Sequence, residues 1–257
     1  MADSQDATER IEVLRGSADR LAALVGSLTP DDLRVQAYPT EWTVADVLSH
    51  LGSGAVISRL RMDATRSGRE LEQSASQGVW DEWNAKDPDA QAANALVADR
   101  ALLDLIDSLT AEERDRFRSP FGPLELDLAG FVGFRLNEHA LHTWDVAVTF
   151  DPAAAVPADA AAVVMDSLPT IARFAGKPTG ADRVIAIATT GPERHVTVTL
   201  RPDGVAFEPN SGDTADLTLP AEALVRLVYG RLDPPHTPSL AGDPADLDEL
   251  RRVFPGF

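Results

Sequence analysis

The chain has 257 residues, of which 41 are acidic and 23 basic, and its formal net charge is −18. This charge disfavours partners that present phosphate, because nucleic acids and anionic membranes bind basic surfaces. There is no cysteine, which excludes disulfides, thiolate metal sites and a cysteine nucleophile. Hydrophobic residues make up 44% and charged residues 25%, the composition of an ordinary globular protein.

The chain carries no apolar run of the roughly 18 residues that a membrane span needs. Its start, MADSQDATERIEV, lacks the basic region and apolar core of a signal peptide. We therefore expect a cytoplasmic protein. Lys86 and Lys177 are the only lysines, and together with the abundant Ala, Asp and Arg they indicate a GC-rich genome.

The first half of the chain is predicted to be helical. Apolar residues recur at helical spacing in four segments, residues 4–27, 43–65, 90–109 and 126–148. Thr43 and Asp46 fit a capping box at the start of the second segment, and Thr110 is a cap for a short helix. The polar stretch 69–90, with Trp80 and Trp83, is either a lid, a loop or a packed aromatic pair. Residues 119–125 (SPFGPLE) are predicted to be a loop, and four main helices in about 150 residues predict a helix bundle.

The pattern changes after Phe150. DPAAAVPADA is typical of a linker, so we place one domain at residues 1–152 and a second at 158–257. The second begins with a helix over 158–175, interrupted near Pro169. β-branched and alternating segments then predict strands, with a turn at 202–204, followed by a helix that stops at Gly230 and a terminal helix. Strands grouped between helices predict an α+β domain.

The segment LNEHALHTWD, residues 136–145, carries two of the five histidines. Residues four apart share a helix face, so Glu138 and His142 are a candidate pair of metal ligands. His139 is rotated by about 100° from Glu138 and should point elsewhere. Asp145 lies one turn beyond His142; it could orient a ligand, but we expect it on a solvated helix face.

A third ligand could come from His50, His195 or His236. His50 follows Val47 by three residues, close to the apolar face of another predicted bundle helix, whereas His195 opens a strand and His236 lies in a Pro-rich loop. We expect the last two at the surface. His50, Glu138 and His142 would form a two-histidine, one-carboxylate site with an open coordination position, as in catalytic metal centres. Zinc is the first candidate, but iron, manganese and nickel also suit these ligands.

Three segments of the chain, WTVADVLSHL, NEHALHTWDVA and LVRLVYGRLD with its following SLAGD, resemble the mycothiol-dependent maleylpyruvate isomerase family. The resemblance covers nearly the whole chain. It implies a DinB-like four-helix bundle followed by a smaller, sterol-carrier-like α+β domain. It also implies that His50, Glu138 and His142 are the metal ligands, and that an arginine of the second domain assists catalysis. Arg231 is the best match for that arginine, with Arg226 second.

The resemblance implies a metal-dependent transferase or isomerase that uses mycothiol, the low-molecular-weight thiol of actinobacteria, and a small electrophilic substrate. Two other functions remain open. The same ligands could activate water in a hydrolase, for which His139 is the one nearby candidate base. Alternatively, the chain could be a binding module without catalysis, in which the second domain holds an apolar ligand.

Overall fold

The structure is a computed structural model that describes residues 2–69, 71–122, 124–212 and 214–256. Contacts between Cα atoms divide the chain into two compact units, Met1–Asp151 and Pro152–Phe257. Among the residues described, no helix is both long enough and apolar enough to cross a membrane.

The N-terminal unit is built from helices. They and one short hairpin are α1 (Ala2–Ser27), α2 (Val44–Arg66), α3 (Gln73–Asn84), α4 (Pro88–Asp107), α5 (Ala111–Arg116), β1 (Ser119–Phe121), β2 (Leu124–Leu126) and α6 (Leu128–Phe150). Helix α2 packs against α4 and α6, and α1 packs against the same two helices. The four long helices therefore close into a bundle, which confirms the predicted architecture.

Side-chain caps determine where α2 and α6, the helices that carry the candidate ligands, begin. The Thr43 hydroxyl accepts a hydrogen bond from the Asp46 amide, while the Asp46 carboxylate accepts one from the Thr43 amide at 2.9 Å. This is the predicted capping box, and it starts α2 at Val44. Asp127 caps α6 by accepting a hydrogen bond from the Gly130 amide at 2.7 Å. Because each cap sets the first residue of its helix, it also sets which later residues share a face.

Most of the polar stretch 69–90 is not an unstructured loop, since residues Gln73–Asn84 form α3. Trp83 is 4% exposed and its ring fills the space beside Gly52, where an added Cβ would lie 2.2 Å from that ring. Trp80 is 40% exposed, so the two tryptophans do not pack as a pair in the core. A single buried aromatic holds α3, which explains why its sequence shows no apolar stripe.

The segment SPFGPLE, predicted to be a loop, contains the antiparallel hairpin of β1 and β2. Ser119 pairs with Leu126 and Phe121 with Leu124. Gly122 has φ of +57° in the turn, a backbone conformation that glycine adopts without strain. Three-residue strands are too short to produce a periodic signal, which is why the sequence indicated only a loop.

The C-terminal unit combines a five-stranded sheet with helices. Its elements are α7 (Ala158–Ala175), β3 (Arg183–Thr190), β4 (Arg194–Arg201), β5 (Gly204–Pro209), β6 (Leu217–Pro220), α8 (Ala221–Val228), β7 (Ala241–Gly242) and α9 (Pro244–Val253). The strand order is β5-β4-β3-β6-β7; among these described neighbours, β3 and β6 pair in parallel and each other pair is antiparallel. This sheet and its helices confirm the α+β class.

One helix of this unit differs from its prediction. Helix α7 continues through Pro169, so the predicted interruption there is wrong. Proline removes one backbone hydrogen bond, but Leu168 and Ile171 are buried on either side of it, and this apolar burial holds the helix together. Gly230, with φ of +70°, follows the end of α8 as predicted.

Candidate metal centre

Helices α2 and α6 bring the three predicted ligands together. Nε2 of His50 lies 3.1 Å from Oε2 of Glu138, and Nε2 of His142 lies 3.6 Å from the same oxygen. One ligand atom from each residue falls within 4.8 Å of the others. Glu138 and His142 are one turn apart on α6, and His50 reaches them from α2, seven residues after the cap at Thr43.

The cluster is accessible from one side. The side chains of Glu138 and His50 are 49% and 37% exposed, whereas that of His142 is only 11% exposed. Desolvation acts to raise the pKa of Glu138, but the hydrogen bonds and charges of His142 and His50 outweigh it and hold this pKa well below its usual range. Glu138 is therefore a carboxylate at neutral pH, available as an anionic ligand.

Asp145 orients His142 through the ring nitrogen that faces away from Glu138. Its Oδ2 lies 2.8 Å from Nδ1 of His142, and the Asp145 side chain is 0% exposed. The expectation that Asp145 lies on a solvated helix face is therefore wrong. With Nδ1 engaged by Asp145, the other ring nitrogen, Nε2, is directed toward Glu138. The i,i+3 spacing indicated this contact, but spacing alone does not show that the face is buried.

Trp42 forms a wall of the cluster and was not identified from the sequence. Its ring centroid lies 5.2 Å from that of His50 and 5.8 Å from that of His142, with an angle of 29° between the planes of the Trp42 and His142 rings. The backbone of the preceding loop holds it, since the Trp42 amide donates to the Pro39 carbonyl and the Trp42 carbonyl accepts from the Ala37 amide, both at 2.9 Å. Only its position directly before the cap at Thr43 was a signal.

His139 faces away from the cluster, as its rotation on α6 predicted. It is 0% exposed. Its Nδ1 lies 2.9 Å from the Ser17 hydroxyl on α1, and its Nε2 lies 3.0 Å from Oδ2 of Asp99 on α4. Arg135 donates to the other Asp99 oxygen at 2.7 Å and to the Leu51 carbonyl at 2.9 Å. His139 therefore belongs to a buried polar network that ties the four bundle helices together.

The remaining candidate histidines, His195 and His236, belong to the C-terminal unit. His195 lies on β4, with its side chain 28% exposed. Nδ1 of His236 lies 2.6 Å from Oδ1 of Asp233 in a turn. Both side chains are partly exposed.

The two candidate arginines differ in their surroundings. Arg226 is 2% exposed and forms a bidentate pair with Glu222 at 2.7 and 2.9 Å, so it stabilises the fold of this unit. Arg231 is half-buried, and its Nη1 donates to the Tyr229 carbonyl at 3.1 Å.

The sequence was also compared with models of known protein families. The model of the mycothiol maleylpyruvate isomerase N-terminal domain matches residues 14–147, which include all three candidate ligands. The chain belongs to the mycothiol maleylpyruvate isomerase family. The model of this family's C-terminal domain matches residues 156–249. The family predicted from the three sequence motifs is therefore confirmed.

Solved structures agree with this family in fold. A crystal structure of the mycothiol-dependent maleylpyruvate isomerase matches with a TM-score of 0.63 and 14% identity, over 88% of this chain and 89% of that one. The structure of a histidine-to-alanine mutant of that isomerase matches with the same values. At this identity the likeness concerns the fold alone. Comparison with curated protein sequences gave no significant match.

Proposed function

We propose that His50, Glu138 and His142 bind one divalent metal ion, and that the protein is a transferase or isomerase that uses mycothiol to act on a small electrophilic substrate. The observation that carries the proposal is the convergence of these three ligand atoms within 4.8 Å in a member of this family. The cytoplasmic location expected from the sequence stays a prediction.

The separations of the two histidine nitrogens from the Glu138 oxygen suit one shared ion. Nitrogen and oxygen ligands bonded at about 2.0–2.2 Å to a tetrahedral ion lie about 3.3–3.6 Å apart. The two measured separations from Glu138, 3.1 and 3.6 Å, bracket this range closely. The ligand set favours zinc as the first candidate and also suits manganese, iron and nickel. Asp145 adds the outer carboxylate that metal-binding histidines commonly have.

Three protein ligands leave room for a small molecule, and the exposure of His50 and Glu138 provides access. When bound, a divalent cation favours the thiolate form of a coordinating thiol. The protein's own side chains orient the reactants: Asp145 holds His142, and Trp42 shields one side of the two imidazole rings. A chain without cysteine thus performs thiol chemistry with a thiol that it binds.

The same arrangement serves two reactions. In a transfer, the thiol sulfur forms a bond to the electrophilic carbon and the leaving group departs with its electron pair. In an isomerisation, the sulfur adds to an activated cis double bond, the resulting single bond rotates, and the carbon–sulfur bond breaks to return the thiol. We assign to Arg231 the binding of a substrate carboxylate, which its forked guanidinium suits. Its main-chain contact to Tyr229 supports this role by limiting its freedom.

No observation favours the hydrolase, because both ring nitrogens of its candidate base, His139, are engaged by Ser17 and Asp99. Metal analysis tests the main proposal. The purified protein should contain or take up about one divalent ion per chain, and His50→Ala and His142→Ala should each abolish stoichiometric binding. A wild-type protein that binds no metal would refute the proposal and favour the non-catalytic binding module.

A second assay tests the thiol. The metal-loaded protein should accelerate the consumption of mycothiol by an electrophile, and His142→Ala should lose this acceleration. Metal binding without any thiol-dependent reaction would leave the metal site intact and remove the transferase and isomerase assignments. Replacing Arg231 by Gln should raise KM for a carboxylated electrophile and leave metal content unchanged.

A further inference from the structure

Helices α2 and α6 meet in two successive layers of side chains. In one layer His50 lies beside Glu138 and His142, and in the next Gly54 lies beside Arg135. Gly54 follows His50 by about one turn and Arg135 precedes Glu138 by about one turn, so the two helices are antiparallel here. The layer formed by Gly54 and Arg135 is therefore the direct neighbour of the metal centre.

The Arg135 guanidinium binds two other helices through one nitrogen. Its Nη2 donates to the Leu51 carbonyl of α2 at 2.9 Å and to Asp99 of α4 at 2.7 Å. Leu51 directly follows His50, so this hydrogen bond holds the α2 backbone next to a candidate ligand. The Arg135 side chain is only 5% exposed, and hydrogen bonds from a charged donor are strong in such surroundings. Arg135 thus connects the backbone of α2 to the helix that carries the other two ligands.

Gly54 makes room for this guanidinium. A Cβ added at Gly54 would lie 2.9 Å from Nη1 of Arg135, closer than ordinary van der Waals contact. Glycine inside a helix is unfavourable relative to alanine, because it loses more conformational freedom on folding. Gly54 lies in the middle of α2 and its φ is not positive, so the backbone does not require glycine. The close approach of Arg135 is the physical reason for glycine at this position.

Arg135 leaves one donor unused in this position. Its Nε is buried and has no hydrogen-bond partner among the residues that the structure describes. A buried donor without a partner costs free energy. An arginine that served only to neutralise Asp99 could direct two nitrogens at the carboxylate, as Arg226 does with Glu222. Arg135 instead uses one nitrogen for Asp99 and Leu51 together, which places its guanidinium between α2, α4 and α6.

We propose that Arg135 is a positioning residue of the metal centre. It holds α2 against α6 at the distance and rotation at which His50 meets Glu138 and His142, and Gly54 admits it. The inference rests on the proposed function and concerns how the same site is held. A metal centre tolerates deviations of only about 0.2 Å in its ligand distances, so a small shift of α2 would lower metal affinity. Arg135 acts through the position of His50 and not by contact with the ion.

Gly54→Ala tests this role without removing any charge. The added methyl group should displace the guanidinium, and zinc affinity in competition with a chromophoric chelator should fall about tenfold, the lower end of the range for groups that orient metal ligands. Alanine is the better helix former, so this loss cannot come from a weaker α2. Gly133→Ala is the matched control, because its Cβ would lie 2.7 Å from Nη1 of Arg10 where α6 packs against α1. It should leave zinc affinity unchanged.

Arg135→Lys provides a second variant. Lysine keeps a positive charge for Asp99, but it lacks the forked guanidinium that fills the space beside Gly54. Zinc affinity should fall, and adding Gly54→Ala to Arg135→Lys should lower it little further, because both changes act through the same contact. Arg10→Lys is the control for this variant and should leave zinc affinity unchanged. Fully additive losses from Gly54→Ala and Arg135→Lys would overturn the assignment.

A contact measured without metal separates this inference from the proposed function. The imidazole centroids of His50 and His142 lie 4.6 Å apart, so their ring protons should give a nuclear Overhauser effect in metal-free wild type. This effect should weaken in Gly54→Ala and Arg135→Lys and persist in Gly133→Ala. If that pattern holds in a protein that binds no metal, the positioning of His50 by Arg135 stands and the proposed function fails.

The opposite outcomes refute the positioning role. It is wrong if wild type lacks the nuclear Overhauser effect, or if Gly54→Ala keeps both this effect and full zinc affinity. It is also wrong if Gly133→Ala loses as much as Gly54→Ala, because the change would then come from a general loosening of the bundle. Zinc binding by wild type in any of these cases leaves the proposed metal site intact.

Discussion

Asp145 offers a direct test of how the metal centre is held. Its carboxylate lies 2.8 Å from Nδ1 of His142 and is fully buried. Truncation in Asp145→Ala would leave that ring nitrogen without its carboxylate partner in a place where the His142 side chain is only 11% exposed. Asp145→Asn keeps an oxygen that can accept the same hydrogen bond, but it removes the negative charge.

The expected loss follows from these contacts. Losing the partner of a buried polar group costs about 1–3 kcal/mol. Because the contact sets the direction of Nε2 toward Glu138, we expect this cost to appear in metal affinity. Outer partners of metal ligands typically contribute 10- to 100-fold in affinity, or about 1.4–2.7 kcal/mol. Asp145→Ala should fall near the upper end of that range and Asp145→Asn near the lower end.

Zinc competition against a chromophoric chelator at fixed pH measures this affinity. Ser17→Ala is a matched control, because it removes a hydrogen bond at 2.9 Å to Nδ1 of another α6 histidine, His139, which faces away from the metal centre. It should lower thermal stability and leave zinc affinity unchanged. The reasoning is refuted if Asp145→Ala binds zinc as tightly as wild type, or if Ser17→Ala weakens binding equally.

Three further outcomes are expected. Gly52→Ala should lower the free energy of unfolding by about 1–3 kcal/mol, because the added Cβ would lie 2.2 Å from the Trp83 ring. A Cβ added at Gly78 in α3 would lie in open space, so Gly78→Ala should raise the free energy of unfolding by up to about 1 kcal/mol. Urea titrations measure both changes. Trp42→Phe should remove most of the tryptophan fluorescence quenching that Cu²⁺ causes on binding, because the Trp42 indole contacts both ligand imidazoles. Burial acts to raise the pKa of Asp99, but its histidine and arginine partners outweigh burial and lower this pKa. The ionised carboxylate therefore stabilises the fold above about pH 4, and this stabilisation is lost as the pH falls further. Below about pH 4, the free energy of unfolding should drop more steeply in wild type than in Asp99→Asn.

Local sequence signals were sufficient to predict how the candidate ligands meet. The cap formed by Thr43 and Asp46 fixed the start of α2, and the i,i+4 spacing fixed the shared face of Glu138 and His142. The position of His50 near an apolar face then indicated that it points into the bundle. Each of these inferences depends on helix geometry over a few turns, which is the scale at which sequence determines structure most directly.

Burial could not be inferred in the same way. Helix α6 is buried on nearly all sides, so its polar residues show no contrast between a core face and a solvent face. The sequence therefore placed Asp145 in solvent, although it is fully buried. Trp42 was missed for a related reason: it lies in a loop, where no periodicity predicts the direction of a side chain, and only the hydrogen bonds of residues 37–42 determine it.

Two histidines of α6, His139 and His142, each meet carboxylates on different faces of the helix, and their other partners give them different roles. His139 and Asp99 meet Arg135, whose guanidinium supplies the positive charge that balances the buried carboxylate. In that network the charge of the buried carboxylate is balanced without a ligand. His142 instead meets Glu138, and the contacts that position Glu138 come from two imidazoles. A divalent cation would supply the positive charge in the His142–Glu138 cluster, as Arg135 does in the His139–Asp99 network. This difference in the source of positive charge supports a metal centre on one face of α6 and a structural network on the other.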